Sequence, residues 1–192
     1  MIYSLQGNLT EKRDNFFVIE LGGLAFQIKS SFNVVKSLPA IGEKVKVFTY
    51  LHVREDALEL YGFLNKEELS LFEMLIGISG IGPKSALNIM AVEKVEKLKA
   101  AISEGRPELL TRASGIGKKI AERVILELRG KLQQEDAGKI VGLMESDQDI
   151  VEALANLGYT KFQAKEALAK VNASVSKVED RIKEALKLLK SR

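Results

Sequence analysis

The chain has no cysteine, no tryptophan, one histidine and only three prolines, and aromatics make up 6% of it. Without cysteine there are no disulfides and no thiolate-held zinc or iron–sulfur site. His52 alone cannot assemble a histidine metal cluster. No stretch approaches the roughly 18 consecutive apolar residues of a membrane span. Met1 to Leu9 also lacks a basic segment leading into a long apolar run. The expectation is a cytoplasmic chain with no membrane association, no metal and no organic cofactor.

Excess charge of one sign is scarce as well. Of 192 residues, 29% are charged and 46% hydrophobic, and the formal net charge is only +3. This is a globular composition that does not announce nucleic acid as a partner. The regional distribution says more. Residues 64–134 carry 12 Lys and Arg against 9 Asp and Glu, and residues 148–192 carry 9 against 6. Residues 1–63 balance at 7 and 7, and residues 135–147 hold four acids and one lysine. Two mildly positive blocks thus flank a negative stretch.

What is present reads as an α+β multidomain chain. In residues 1–63, Val45, Val47, Thr49, Leu51 and Val53 alternate with Lys44, Lys46, Tyr50, His52 and Arg54. This is the period of two of a half-buried strand, with Phe48 the one bulky apolar exception on the second face. Phe17, Ile19 and Leu21 alternate likewise, and Gly22-Gly23 offers a tight turn into Leu24, Phe26 and Ile28. A second hairpin turns near Glu55-Asp56 and returns through Leu58 and Leu60. About five short strands in so short a segment suggest a closed OB-type β-barrel, because closure removes exposed edges.

From Leu64 the period becomes helical. Leu69, Phe72 and Ile76 share one face, and Ile120, Val124, Leu128 and Leu132 recur every fourth residue. Residues 64–134 are expected to be all-helical, and residues 135–147, with two glycines and no clean period, to be a flexible linker. Residues 148–192 then read as a three-helix bundle. Its second and third helices begin at the capping boxes Thr160-x-x-Gln163 and Ser176-x-x-Glu179.

The most informative feature is a repeat at an offset of 35 residues. Ser79-Gly80-Ile81-Gly82 matches Ser114-Gly115-Ile116-Gly117; Lys84 matches Lys119, and Ala86 matches Ala121. Helix, Gly-Ile-Gly, helix is written twice. So short a hairpin needs glycine where the backbone turns through positive φ, and the isoleucine can point inward. The second helix of each hairpin then presents unpaired N–H groups and the positive end of its dipole, which suits an anion. Pro83 fits the first helical turn. Lys84, Lys118 and Lys119 stand where an ammonium reaches the same anion. The pattern points to contact with the phosphate backbone without base readout. Two such sites related by a pseudo-twofold can hold both strands across a minor groove.

Enzyme readings are weaker. Gly77-x-x-x-x-Gly82-Pro83-Lys84-Ser85 is similar to a P-loop, but Pro83 splits the Gly-Lys pair and the preceding element reads as helix, not strand. A nuclease needs clustered carboxylates for metal, and Glu55-Asp56 is the only tight acidic pair in the strand region. A single-strand binder acting through the barrel would want aromatic stacking platforms, which the composition hardly supplies.

Gly80-Ile81-Gly82-Pro83-Lys84 and Gly115-Ile116-Gly117-Lys118-Lys119 resemble tandem helix-hairpin-helix motifs. Their place between a strand domain and a tethered bundle resembles the RuvA family. The opening Met1-Ile-Tyr-Ser-Leu-Gln-Gly7, the stretch His52-Val-Arg-Glu-Asp56 and Leu60-Tyr-Gly-Phe63 are similar to that family too. The resemblance spans essentially the whole chain.

It implies a non-catalytic homotetramer, single or as two face-to-face tetramers, that binds four-way (Holliday) DNA junctions in recombination, repair and the SOS response. Gly80, Gly82, Lys84, Gly115, Gly117, Lys118 and Lys119 would then hold the arm backbones. Arg123 and Arg54 are further phosphate candidates, although Arg123 also reads as an ordinary solvated helix charge. Glu55 and Asp56, by themselves a solvated β-turn, match the acidic pin at the junction centre. The C-terminal, UBA-like bundle would dock a RuvB-like hexameric ATPase, the source of ATP hydrolysis. Leu154, Leu157, Tyr159 and Leu168 are candidates for that face and are equally suited to the bundle's core. A RuvC-like resolvase is a further implied partner. The reading left open beside this one is a generic helix-hairpin-helix repair scaffold, or a nuclease or glycosylase accessory protein, without junction specificity.

Overall fold

A computed structural model of the chain describes residues 1–132, 136–172, 175 and 177–190. Five strands open it: β1 (Ser4–Arg13), β2 (Phe16–Leu21), β3 (Leu24–Lys29), then, after the short helix α1 (Phe32–Ser37), β4 (Lys44–Val53) and β5 (Leu58–Phe63). They close into a barrel in the order β1-β2-β3-β5-β4, with β4 returning to β1. Only the β3–β5 pair is parallel. The β2–β3 hairpin turns on Gly22 and Gly23 at φ 59° and 84°, the two positive values that a two-residue type I′ turn requires. Leu9, Phe17, Ile19, Ile28 and Val47 are fully buried inside the barrel, and α1 adds Val34 and Val35. This is the OB-type barrel that the alternation predicts.

The second face of β4 explains the Phe48 exception. Phe48 and Tyr50 are half-buried; they pack against a helical core that begins with α2 (Lys66–Ile76). Phe72 of α2 is fully buried, 4.9 Å from the Phe63 ring, 5.3 Å from Tyr61 and 5.5 Å from Tyr50. Asn65 starts α2 by accepting from the Glu68 N–H at 2.8 Å, while the Glu68 carboxylate accepts from the Leu64 N–H at 2.8 Å. Burial raises the Glu68 carboxyl above its usual range, partly opposed by those hydrogen bonds.

Four further helices complete this region: α3 (Pro83–Val92), α4 (Val95–Ser103), α5 (Pro107–Leu110) and α6 (Lys118–Leu128). Their buried residues join Tyr61, Phe63 and Phe72 in one cluster. Barrel and helices, separate blocks in the sequence, therefore make one compact unit over residues 1–137.

The second unit, residues 138–192, holds most of α7 (Ala137–Asn156), with α8 (Lys161–Leu168) and α9 (Val178–Lys190). Its core is Ile150, Val151, Leu154, Ala164, Ala167, Leu168 and Ala185. The Thr160 capping box is present: the Thr160 hydroxyl accepts from the Gln163 N–H at 3.2 Å, and the Gln163 side chain accepts from the Thr160 N–H at 2.9 Å. The box expected at Ser176 involves a position outside the described residues.

The linker expectation needs correction. Residues 137–147 are helical and continue without a break into the first helix of the bundle, which starts at Ala137 and not near residue 148. Ala137, Val141, Met144 and Val151 are buried at spacings of four, three and seven, while Gly138 and Gly142 lie on the exposed side. Asp147 pairs with Arg181 of α9 at 2.7 Å, so the acidic end of the presumed linker belongs to the bundle. Residue 135 lies outside the described residues. No helix among the described residues is long and apolar enough to cross a membrane.

If Phe72 joins barrel to helices, Phe72→Ala lowers stability by about 3–5 kcal/mol and Phe72→Leu by much less. Urea denaturation followed by tyrosine fluorescence checks this.

Candidate nucleic-acid interface

The duplicated sequence folds into duplicated geometry. In the first hairpin the loop between α2 and α3 is closed by Ile78 N–H donating to Leu75 O at 3.1 Å and Ile81 N–H to Ile78 O at 3.0 Å. In the second, between α5 and α6, Ala113 N–H donates to Leu110 O at 3.0 Å and Ile116 N–H to Ala113 O at 3.1 Å. The first helical bonds match too: Ala86 to Gly82 and Ala121 to Gly117, both at 3.0 Å. These three bonds of the first hairpin each have their counterpart 35 residues on.

The glycines divide their work. Gly80 and Gly115 sit at φ 89° and 79°, where a side chain is strained. Gly82 and Gly117 are the N-caps of α3 and α6 in extended conformation, φ −87° and −83°, which any residue adopts. A Cβ at either would meet nothing, so these two keep open the space in front of the helix end. Neither helix carries a side-chain cap, and Pro83 opens α3. The first-turn N–H groups and the dipole thus face that space. Ile81 and Ile116 are buried in the same core. Lys84, Lys118 and Lys119 are exposed beside the two openings.

Arg123 reaches across to the first hairpin. Its Nη1 donates to Ser79 O at 2.7 Å, so the guanidinium reaches from α6 back to the loop of the first hairpin. At the equivalent position of α3, Asn88 Nδ2 donates to Ser114 O, in the second loop, at 2.9 Å. Sequence reasoning passed over Asn88; its one signal was that it stands 35 residues before Arg123.

On the barrel, Arg54 N–H donates to Ala57 O at 2.9 Å and closes the β4–β5 turn. Glu55 and Asp56 are exposed at its tip, and Arg54 Nε lies 3.4 Å from Asp56 Oδ1, a weak surface pair. Below the tip, Lys29 donates to Glu59, which also accepts from the Tyr61 hydroxyl at 2.7 Å. These bonds, the one from Lys29 foremost, hold the Glu59 carboxyl below its usual range; burial, then Glu59 itself, raises the Tyr61 phenol. The Gly77–Ser85 run joins two helices, so it lacks the strand that precedes a P-loop. Among the described residues no His, Asp and Glu side chains gather to hold a metal ion.

In the bundle, Leu154 and Leu168 are buried in the core, so they are structural and not a docking face. Tyr159 is half-buried against that core, and Leu157 is exposed. Phe162, which the sequence reading did not single out, is 73% exposed five residues further on.

A closed OB-type barrel packed on two repeated glycine hairpins defines a class: nucleic-acid-binding proteins of the tandem helix-hairpin-helix type. Comparison narrows it. Residues 1–62 match the RuvA N-terminal domain, residues 72–131 a SAM-like helix-hairpin-helix tandem, and residues 147–190 the RuvA C-terminal domain. The chain is 43% identical, over 98% of its length and 99% of the relative's, to the Holliday junction branch migration complex subunit RuvA of Caldanaerobacter subterraneus subsp. tengcongensis. It is 39% identical to the protein of the same name from Acetivibrio thermocellus, over 97% of this chain and 98% of that one. For the Dehalococcoides mccartyi protein of that name the identity is 42%, over 97% of both chains. The chain belongs to the RuvA family.

The division among the glycines is measurable. Gly80→Ala and Gly115→Ala each cost about 1–2 kcal/mol, because Ala must adopt positive φ. Gly82→Ala and Gly117→Ala stay within about 0.5 kcal/mol of the parent in denaturant titrations.

Proposed function

We propose that the chain is a non-catalytic, cytoplasmic subunit that binds four-way DNA junctions as a homotetramer and recruits a RuvB-like hexameric ATPase for branch migration. The observation that carries this reading is the pair of matched hairpins, without side-chain caps, on the same compact unit as an exposed acidic tip. It is supported by whole-chain similarity to proteins named as subunits of a Holliday junction branch migration complex. Each hairpin takes one phosphate on its helix end: Gly82 and Lys84 in the first, Gly117, Lys118 and Lys119 in the second. Gly80 and Gly115 shape the two turns. The two sites hold the two strands of an arm across its minor groove. Arg54 lies close enough to the tip to touch backbone near the crossover.

Glu55 and Asp56 act by repulsion. A carboxylate about 8 Å from a phosphate in water costs roughly 0.5 kcal/mol. A few such pairs, summed over four subunits, reach the roughly 1.4 kcal/mol that separates two substrates tenfold. Continuous duplex brings phosphates to the tip; an open junction leaves a hole there. In the bundle, Leu157 and Phe162 offer exposed apolar surface for the ATPase, with Tyr159 beside them. A RuvC-like resolvase would share the open junction face.

Two outcomes are expected. In a gel shift at one stated salt concentration, excess linear duplex of the same sequence does not displace a labelled junction from the wild type. With Glu55→Gln and Asp56→Asn together, duplex competes better while junction affinity changes little. Equal competition by duplex against the wild type would leave a generic helix-hairpin-helix scaffold. Separately, Lys84→Ala, Lys118→Ala or Lys119→Ala weakens binding alike for all sequences and lowers the slope of log K against log salt by about one. An unchanged slope with a new base preference contradicts phosphate contact.

A further inference from the structure

The crossed hydrogen bonds between the hairpins lie outside the phosphate-binding scheme above. Asn88 belongs to the helix that opens at the first hairpin, yet it holds Ser114 O in the second loop at 2.9 Å. Arg123 belongs to the helix that opens at the second hairpin, yet it holds Ser79 O in the first loop at 2.7 Å. The two donors occupy equivalent positions of the repeat, and so do the two acceptors, each immediately before the glycine with positive φ. Arg123 also stands over the first loop by a second measure: its Nη1 would be 3.7 Å from a Cβ built on Gly80.

We infer that Asn88 and Arg123 are positioning residues, each gripping the opposite hairpin loop and so fixing the distance between the two phosphate-binding turns. This rests on the reading of the hairpins as phosphate sites and adds how they act together. A loop carbonyl held by the other hairpin's helix cannot move without it. The two anion sites then behave as one rigid body, and binding of the second phosphate is an intramolecular event at high effective concentration. Loss of one crossed bond frees one loop, and the affinity lost is that of the loop it holds.

The two braces differ in charge and length. The second hairpin has two adjacent lysines, Lys118 and Lys119; the first has Pro83 and Lys84. The long cationic brace is directed to the loop with one lysine, and the short neutral brace to the loop with two. Arg123 brings a second cation to the first turn, beside Lys84.

The test is a crossed double-mutant cycle on the full chain, with binding to a fluorescent four-way junction measured by anisotropy. Asn88→Ala and Arg123→Gln are each made in the wild type, in Lys84→Ala and in the Lys118→Ala/Lys119→Ala pair. Asn88→Ala should weaken binding roughly 3- to 10-fold in the wild type, the usual range for one lost hydrogen bond. That loss should persist in Lys84→Ala and shrink toward nothing in the Lys118/Lys119 pair, because Asn88 acts through the second loop. Arg123→Gln should show the opposite dependence, its effect shrinking in Lys84→Ala although it shares a helix with Lys119. Asn88→Ser, a milder change, should follow Asn88→Ala, and unfolding midpoints should stay with the parent. Effects that are the same in both backgrounds, or that shrink with the lysines of the same helix, overturn the inference. If the lysine variants bind as the wild type does, the phosphate reading itself falls and the crossed roles fall with it. A lysine effect with additive cycles removes only the crossed roles.

Discussion

Ile81 and Ile116 are inserted into one hydrophobic core, and what the two hairpins present to solvent depends on that insertion. Each buried isoleucine contributes about 1.5–3 kcal/mol, enough to pull a tight loop against the helices and hold it there. With the isoleucine inward, the preceding glycine must take positive φ, and the following glycine must face outward at the start of the next helix. The exposed helix end is thus a consequence of burial on its other side. Because both isoleucines enter the same cluster, the two openings are related by the fold itself and not by a hinge.

That cluster does not stop at the helices. Phe72 stacks into Tyr61 and Phe63 of the barrel, so β5, which leads away from the acidic tip, ends in the core that holds the hairpins. Tip and hairpins belong to one compact unit. Opposed charges placed on one compact unit can discriminate shape, because a ligand cannot satisfy the cations while sliding away from the anions. On a flexible tether the same carboxylates would swing aside and discriminate nothing. Four of the chain's twelve aromatics form this joint: Tyr50, Tyr61, Phe63 and Phe72 pack among themselves instead of offering faces to bases.

Local pattern made much of this legible in advance. The alternation in β4, the Gly22-Gly23 turn and the 35-residue repeat report short-range backbone geometry, and they lead directly to the barrel and the hairpins. What stayed hidden depends on partners distant in sequence. Phe48 looked like an exception to alternation because its neighbours lie on α2. The two glycines of each hairpin looked equivalent, and only the fold separates Gly80, which turns, from Gly82, which leaves room. The stretch from Ala137 looked structureless because Gly138 and Gly142 interrupt the period, though both lie on the exposed side. Leu154 and Leu168 suit a docking face as well as a core by sequence; a bundle this small has few apolar positions, and its own core takes them first. Asn88, an unremarkable polar residue on a helix, acquires meaning only through its bond to Ser114 O in the loop between α5 and α6.

The modest net charge of +3 fits this arrangement better than a strongly basic surface would. Phosphate contacts are blind to shape, so every added cation raises affinity for any duplex as much as for the intended ligand. Selectivity has to come from requiring several weak contacts at once. On the proposed reading, the cations at two hairpins and the repulsion at the tip are each weak, and their sum depends on geometry. Multiplying such chains around a symmetry axis would raise affinity only for a ligand whose arms reach every copy simultaneously. Such a surface gains more from rigid spacing than from further charge, and its polar side chains are used accordingly: Asn88 and Arg123 hold loops, and Arg54 lies against its neighbour Asp56.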